Sequence, residues 1–113
     1  MRTRLRVTPG ALLAAVALLV VWAPSRAGDM GAGREKARVC ATCHGLHGIA
    51  TAPNTPNLAG QPAGYLSAQL KAFRSGVRRN EVMSVVAKPL SDADIEDLAA
   101  WFSSIPVSAT PPD

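Results

Sequence analysis

Two cysteines and a histidine stand together in the segment Cys40-Ala41-Thr42-Cys43-His44. Residues three apart lie on one side of a helical turn, so both thiols can form thioether bonds to two neighbouring vinyl groups of one haem. His44 follows directly and is carried over the ring plane, where its Nε2 can bind the iron from one side. This spacing is typical of covalent c-type haem attachment, and it predicts one haem c bound through Cys40 and Cys43.

Three other roles of the same residues fit the sequence less well. A redox-active Cys-x-x-Cys normally follows a strand in a βαβ unit, and no strand pattern precedes Cys40. A zinc site would need Cys40, Cys43, His44 and His47, but ligands so closely spaced, two of them adjacent, make a poor tetrahedron. A disulfide between the two cysteines would close too small a loop to add much stability.

A second axial ligand of the iron is expected from methionine, since histidine with methionine is a known axial pair of haem iron. The chain has three methionines. Met1 is in the N-terminal segment, and Met30 precedes the attachment motif. Met83 lies far enough beyond His44 to return over the opposite haem face, although a core methionine in a short helical turn is an alternative at this point. His47 is too close to His44 to reach that face, and we expect it to be partly exposed near the haem edge.

Hydrophobic spacing and capping signals predict helices and no strands. A first helix covers Gly31–Cys40. A second begins at Pro62, a residue favoured at the first helical position, and ends near Gly76, where a C-terminal glycine belongs. Its buried face has residues three or four apart. These are Leu66, Leu70, Phe73 and Val77.

The last helix has the clearest signals. Ser91 is a good N-cap with Asp94 three residues on, a carboxylate variant of the capping box, and the helix stops before Pro106. Its buried stripe is Ile95, Leu98, Phe102 and Ile105. Between the first two helices, the loop Gly45–Gln61 is long for so small a domain, which argues against an ordinary packed core. We therefore expect something other than protein to fill the middle.

The N-terminal segment 1–27 reads as an export signal. Three arginines precede Ala11–Ala23, which has no polar side chain, and small residues at Ser25 and Ala27 suit a signal peptidase that cuts after Ala27. The apolar run is too short for a permanent membrane span, although an uncleaved N-terminal anchor is an alternative. We expect one small haem-binding domain at 28–106, a flexible tail at 107–113 and a periplasmic or otherwise exported location.

The positive charge of the chain lies in this leader. Four of the twelve Lys and Arg residues are in 1–27, which has no acid, and the other eight balance all eight Asp and Glu. A domain without net charge gives little support to nucleic-acid binding, which needs a clustered positive face.

The residues of the mature chain resemble class I c-type cytochromes, in particular the small bacterial monohaem type and one half of the dihaem tandem cytochromes c. The resemblance covers about Gly31 to Ile105. The matching residues are Cys43-His44-Gly45, Gly48, Pro56-Asn57-Leu58-Ala59-Gly60-Gln61, Tyr65-Leu66, Gln69-Leu70, Phe73-Arg74, Gly76, Arg78, Met83 and Ser91-Asp92-Ala93-Asp94.

That resemblance implies an all-α cytochrome c fold, with three to four short helices wrapped around one covalently bound haem and no sheet. It implies Met83 as the second axial ligand, and Pro56 as the proline whose carbonyl accepts the Nδ1–H of His44, which fixes the ring. Arg78 is a candidate partner of a haem propionate, because guanidinium and carboxylate pair bidentately; a solvated loop arginine is the alternative. Gly33 and Ala37 match the face that the family packs against the last helix.

With both axial positions filled, the expected function is single-electron transfer between redox partner proteins, and not an enzymatic reaction. The chain could also be the cytochrome subunit of a larger dehydrogenase or oxidase. A peroxidase or gas-binding protein is less consistent, because nothing resembles a distal acid–base pair. No charged residue occurs from Val39 to Leu70, so we expect an uncharged docking face around Ala41, Thr42, Leu46, Ile49 and Ala50. The competing basic rim is Lys71, Arg74, Arg78 and Arg79.

Overall fold

A computed structural model describes residues 26–113 of the chain, and the predicted leader therefore lies almost wholly outside the described residues. Five α-helices and one 3₁₀ turn follow one another, and the described part contains no strand. The elements are α1 Met30–Lys36, the 3₁₀ turn Ala37–Val39, α2 Ala41–His44, α3 Ala63–Ser75, α4 Met83–Val86 and α5 Asp92–Ser104. The strand-free fold is as predicted, and α2 and α4 are single turns added to the three longer helices.

Helix α5 is held by the predicted capping box. The Ser91 hydroxyl accepts a hydrogen bond from the Asp94 backbone N–H at 3.1 Å, and the Asp94 carboxylate accepts one from the Ser91 N–H at 2.9 Å. Ile95, Leu98 and Phe102 are buried as predicted, whereas Ile105 is the half-buried C-cap. The helix therefore ends before Pro106, and residues 107–113 are exposed without regular secondary structure.

Helix α1 lies so close to α5 that only glycine fits between them. A Cβ on Gly33 would fall 2.0 Å from the carbonyl oxygen of Asp97, and Ala37 is buried one turn later. The Lys36 ammonium reaches across to the carboxylates of Asp94 and Asp97. These contacts confirm that the Gly33 and Ala37 face packs against the last helix.

Helix α3 starts and ends close to the predicted residues, but its last predicted core position is wrong. Pro62 is the N-cap, immediately before the helix, and Gly76 has the left-handed φ of +81° that ends it. Val77 is 86% exposed, because Gly76 turns the chain away before the helical spacing reaches that residue. The buried face of α3 therefore ends at Phe73.

The protein core is thin. Its buried cluster contains Ala37, Leu66, Leu98, Ala99 and Phe102. Of the residues that the structure describes, only Ile95 and Leu98 are large side chains with almost no exposure. A domain of this size usually needs a cofactor, metal or disulfide to be stable. The open side of the cluster faces the cleft that contains the predicted site.

Candidate functional site

One cleft brings together every side chain that the sequence predicts for the site. Its volume is about 430 Å³, which lies within the range of cofactor pockets. Its wall is formed by the attachment motif, the following loop, α3, α4 and α5. The predicted site residues that line it are Cys40, Cys43, His44, Pro56, Arg78 and Met83. Most of the remaining wall is apolar and includes Leu58, Leu66, Leu70, Phe73, Val82, Val86, Leu90, Leu98 and Phe102.

The two cysteines are free thiols on one side of this cleft, and both are half-buried. Helical geometry brings them together: the His44 N–H donates to the Cys40 carbonyl at 2.9 Å, and the Cys43 N–H donates to the same oxygen at 3.3 Å. Burial raises the pKa of the Cys40 thiol above its ordinary value of 9.0.

The imidazole of His44 is buried, with 6% of the residue exposed. Its Nδ1 lies 2.8 Å from the carbonyl oxygen of Pro56. A carbonyl only accepts, so Nδ1 carries the proton and donates it to this bond. In a neutral imidazole of this tautomer, Nε2 is unprotonated and its lone pair can bind a metal.

The loop after His44 is folded back by glycines with positive φ. Gly45 has a φ of +78°, and a Cβ there would lie 1.8 Å from the Ile49 carbonyl oxygen. The Gly48 carbonyl accepts from Leu58 N–H at 2.7 Å and from Ala59 N–H at 3.1 Å. These contacts bring the Pro56 segment back to the histidine that it contacts.

Met83 begins α4 and is half-buried in the wall of the cleft. Sequence reasoning missed Asn80, which also lines the cleft and whose side chain accepts from the Met83 N–H at 2.9 Å. An asparagine three residues before the methionine is a signal for an N-cap, although a helix of four residues leaves no hydrophobic period that would reveal it.

Arg78 is exposed at the cleft rim, and its guanidinium lies 4.6 Å from the centre of the Phe73 ring. It also donates to the side-chain oxygen of Gln69. No carboxylate pairs with Arg78 within residues 26–113. Its charge is therefore positioned by an aromatic ring and an amide, and it has no acidic partner from the described chain.

The cleft suits a haem better than the alternatives. Two thiols, one imidazole nitrogen and one thioether surround an apolar space, which is the donor set of a His/Met-ligated c-type haem. The zinc alternative is not supported, because His47 is exposed outside the cleft and the described residues contain no cluster of three His, Cys, Asp or Glu side chains able to hold a metal ion. The disulfide is also not formed.

Two of the four cations of the predicted basic rim are neutralised by carboxylates. Lys71 pairs with Glu96 at 2.7 Å, and Arg74 pairs with Asp92 while donating to the Leu90 carbonyl. The hydrogen bond from Lys71 lowers the pKa of Glu96. The uncharged face presents exposed Thr42, Leu46 and Ile49 with half-buried Ala41 and Ala50. None of the helices in residues 26–113 is long and apolar enough to cross a membrane.

Comparison with known proteins agrees with this geometry. The cytochrome c family matches residues 32–106. Cytochrome c-554(548) of Halomonas halodenitrificans is 47% identical over 81 residues, which cover 69% of this chain and 98% of that protein. A thiosulfate dehydrogenase electron acceptor of Thiomonas intermedia is 43% identical over 81 residues, covering 71% of this chain and 37% of that protein.

A solved structure gives the same result for the fold. The crystal structure of reduced cytochrome c4 from Pseudomonas stutzeri matches with a TM-score of 0.70 and 43% identity, over 77% of this chain and 50% of that one. This chain thus spans nearly all of the Halomonas protein and half or less of the other two. It belongs to the cytochrome c family and is an electron-transfer protein with redox partners, as predicted.

Proposed function

We propose that this cytochrome c carries one haem c, bonded through thioethers to Cys40 and Cys43, with His44 and Met83 as the axial ligands of the iron. The observation that carries the proposal is the hydrogen bond from His44 Nδ1–H to Pro56, since it leaves Nε2 free in a buried ring that lines the cleft. Met83 is the methionine of the described chain that lines the same cleft.

The bound haem supplies an iron that alternates between the ferrous and ferric states and so takes up or releases one electron. The residues tune and position it. The Pro56 carbonyl holds the His44 ring and raises its basicity as a ligand. Met83 is a soft, weak donor that favours ferrous iron, and the apolar wall disfavours the additional charge of ferric iron. Arg78 would pair with a propionate, because its guanidinium has no acidic partner within the described residues.

The carrier is exported, on the evidence of the leader, and works in the periplasm or an equivalent compartment. Cleavage after Ala27 releases the domain 28–106 with the tail 107–113. Partners dock on the uncharged face defined by Ala41, Thr42, Leu46, Ile49 and Ala50. Such a face gives brief contacts of small area, which suit rapid turnover.

A second candidate function is that of a dedicated acceptor subunit for a dehydrogenase. It is favoured by the 43% identity to the Thiomonas protein, whose name describes an electron acceptor of thiosulfate dehydrogenase. Size-exclusion chromatography of an extract from the native cells separates the two functions. A free carrier elutes at the mass of a single small domain, whereas a subunit elutes with its enzyme.

The haem and its ligands are tested by spectra of the purified protein. The wild type should show a covalent haem, and its ferric form should have the charge-transfer band of methionine sulfur bound to iron. Met83→Ala should keep the haem attached through the two cysteines, lose this band and bind added imidazole readily. An unchanged band in Met83→Ala would show that another group is the ligand.

A further inference from the structure

Apart from its side that faces the cleft, the turn that carries Met83 is held by hydrogen bonds and hardly by packing against the rest of the protein. Helix α4 has no buried residue. Its Val85, which does not line the cleft, is 71% exposed, while Met83 and Val86 face the cleft. Its C-terminal side is fixed by Ala87, which is fully buried and donates its N–H to the Met83 carbonyl at 2.9 Å. The N-terminal side, where the methionine is attached, therefore depends on polar contacts.

Asn80 supplies these contacts. Its side-chain oxygen accepts hydrogen bonds from the N–H groups of Val82, at 3.0 Å, and Met83, at 2.9 Å. The Asn80 N–H donates in return to the Ser84 hydroxyl at 3.1 Å, and the Ser84 N–H donates to the Asn80 carbonyl at 3.0 Å. Asn80 and Ser84 thus close the turn from both of its ends, with Met83 between them.

We propose that Asn80 is a positioning residue for the methionine ligand: its side-chain oxygen keeps the turn closed, so that Met83 remains directed at the iron. This inference rests on the proposed ligation by Met83. It implies that the strength of the methionine–iron bond is set partly by a cap outside the haem contacts. Local opening of such a weakly packed turn competes with ligation, and the cap opposes that opening.

Both hydrogen bonds use the oxygen of the amide and neither uses its NH₂ group. Aspartate offers the same acceptor and caps helices about as well as asparagine. Asn80→Asp should therefore preserve the position of Met83, while Asn80→Ala should not. Asn80 stands two residues before the N-cap Val82, but its side chain makes the hydrogen bonds of a capping residue. Loss of such a cap shifts the opening equilibrium of a helical turn by roughly fivefold. Because imidazole binds only where the methionine has left, its apparent affinity for ferric iron should rise by the same factor.

The test is an imidazole titration of the ferric holoprotein, with the sulfur-to-iron band as a second readout. The ferric Asn80→Ala variant should bind imidazole about fivefold more tightly than the wild type. When the pH is raised, its sulfur-to-iron band should disappear at a lower pH than the band of the wild type. Asn80→Asp should match the wild type in both readouts, and Ser84→Ala should shift them in the same direction as Asn80→Ala. An unchanged affinity in Asn80→Ala, or an equal rise in Asn80→Asp, would overturn the proposal.

A remote cap provides the matched control. Ser91 caps α5 with the same chemistry, but α5 carries no ligand. Ser91→Ala should lower the midpoint of thermal unfolding and leave the imidazole affinity unchanged. If its imidazole affinity rose as much as that of Asn80→Ala, the effect would come from general stability, and the positioning role of Asn80 would be overturned. Met83→Ala separates the proposed ligation by Met83 from the proposed positioning role of Asn80. If the sulfur-to-iron band persisted in Met83→Ala, the ligation itself would be contradicted.

Discussion

The response of electron transfer to salt tests whether a basic rim steers partners to this protein. Two of the four rim cations, Lys71 and Arg74, are paired with carboxylates. Of these four, only Arg78 and Arg79 have no acidic partner within the described residues, and Arg78 is the proposed partner of a haem propionate. We therefore expect weak steering of an anionic reagent, and the oxidation of the ferrous protein by the trianion hexacyanoferrate(III) measures it.

The size of the effect follows from Coulomb's law. Two unit charges about 10 Å apart in water interact by about 0.4 kcal/mol. Raising the ionic strength from about 10 to 150 mM shortens the Debye length from about 30 to 8 Å, which removes about 0.2 kcal/mol from each pair of unit charges. With Arg78 paired to a propionate, Arg79 alone loses about 0.5 kcal/mol with the trianion, or about 2.5-fold in rate constant, whereas four free cations would lose about fortyfold.

Stopped-flow kinetics at both salt concentrations gives the two rate constants. Arg79→Gln should remove most of the salt effect on the logarithm of the rate constant. The double variant Lys71→Gln with Glu96→Gln should leave it unchanged, because both charges of one ion pair are removed together. If the rate constant of the wild type fell by well above tenfold between the two salt concentrations, the rim cations would act as free charges. The basic rim, and not the uncharged face, would then be the docking site.

Three other perturbations test how the fold depends on named contacts. Gly33→Ala should destabilise the holoprotein by about 1–3 kcal/mol in chemical denaturation, because its Cβ would overlap the Asp97 carbonyl. The control is Gly64→Ala, whose Cβ would meet no other atom; it should stabilise the holoprotein by up to about 1 kcal/mol. Lys36 lowers the pKa of the Asp97 carboxylate below its ordinary 3.8, so the stability that this pair adds above that pH is lost as the pH falls below about 4. The thermal midpoint of Lys36→Gln should therefore drop less between pH 5 and pH 2 than that of the wild type. Cys43→Ser should give a poorly folded chain, since the haem supplies the missing core; a well-folded, haem-free variant by circular dichroism would contradict this.

Features set by neighbouring residues could be predicted from the sequence. The attachment motif, the Ser91 cap of α5 and the end of α3 at Gly76 all depend on residues within one helical turn of each other. Val77 shows where the same reasoning fails. The position of Val77 continues the apolar spacing of α3, but the left-handed conformation of Gly76 ends the helix before it. Hydrophobic spacing alone does not show where a helix ends.

Contacts between distant segments could not be predicted in this way. The pairing of Lys71 with Glu96 joins residues 25 apart, and the contacts of Arg78 with Gln69 and Phe73 depend on how the chain turns after α3. Both change the interpretation of the rim, because charges that look alike in the sequence differ in their partners. The electrostatic character of the docking region is therefore a property of the fold.

The core and the cleft share residues, and this joins stability to function. Leu66, Leu98 and Phe102 belong to the buried cluster and also line the cleft. Leu58, Leu70 and Val86 continue this apolar wall and are only half-buried by protein, so the hydrophobic stabilisation that the wall gives to the fold is incomplete without a bound group. A haem in the cleft covers them and at the same time receives the apolar surroundings that favour its reduced form. The same side chains therefore stabilise the domain and adjust the potential of its iron, so substitutions at these positions must change both properties together.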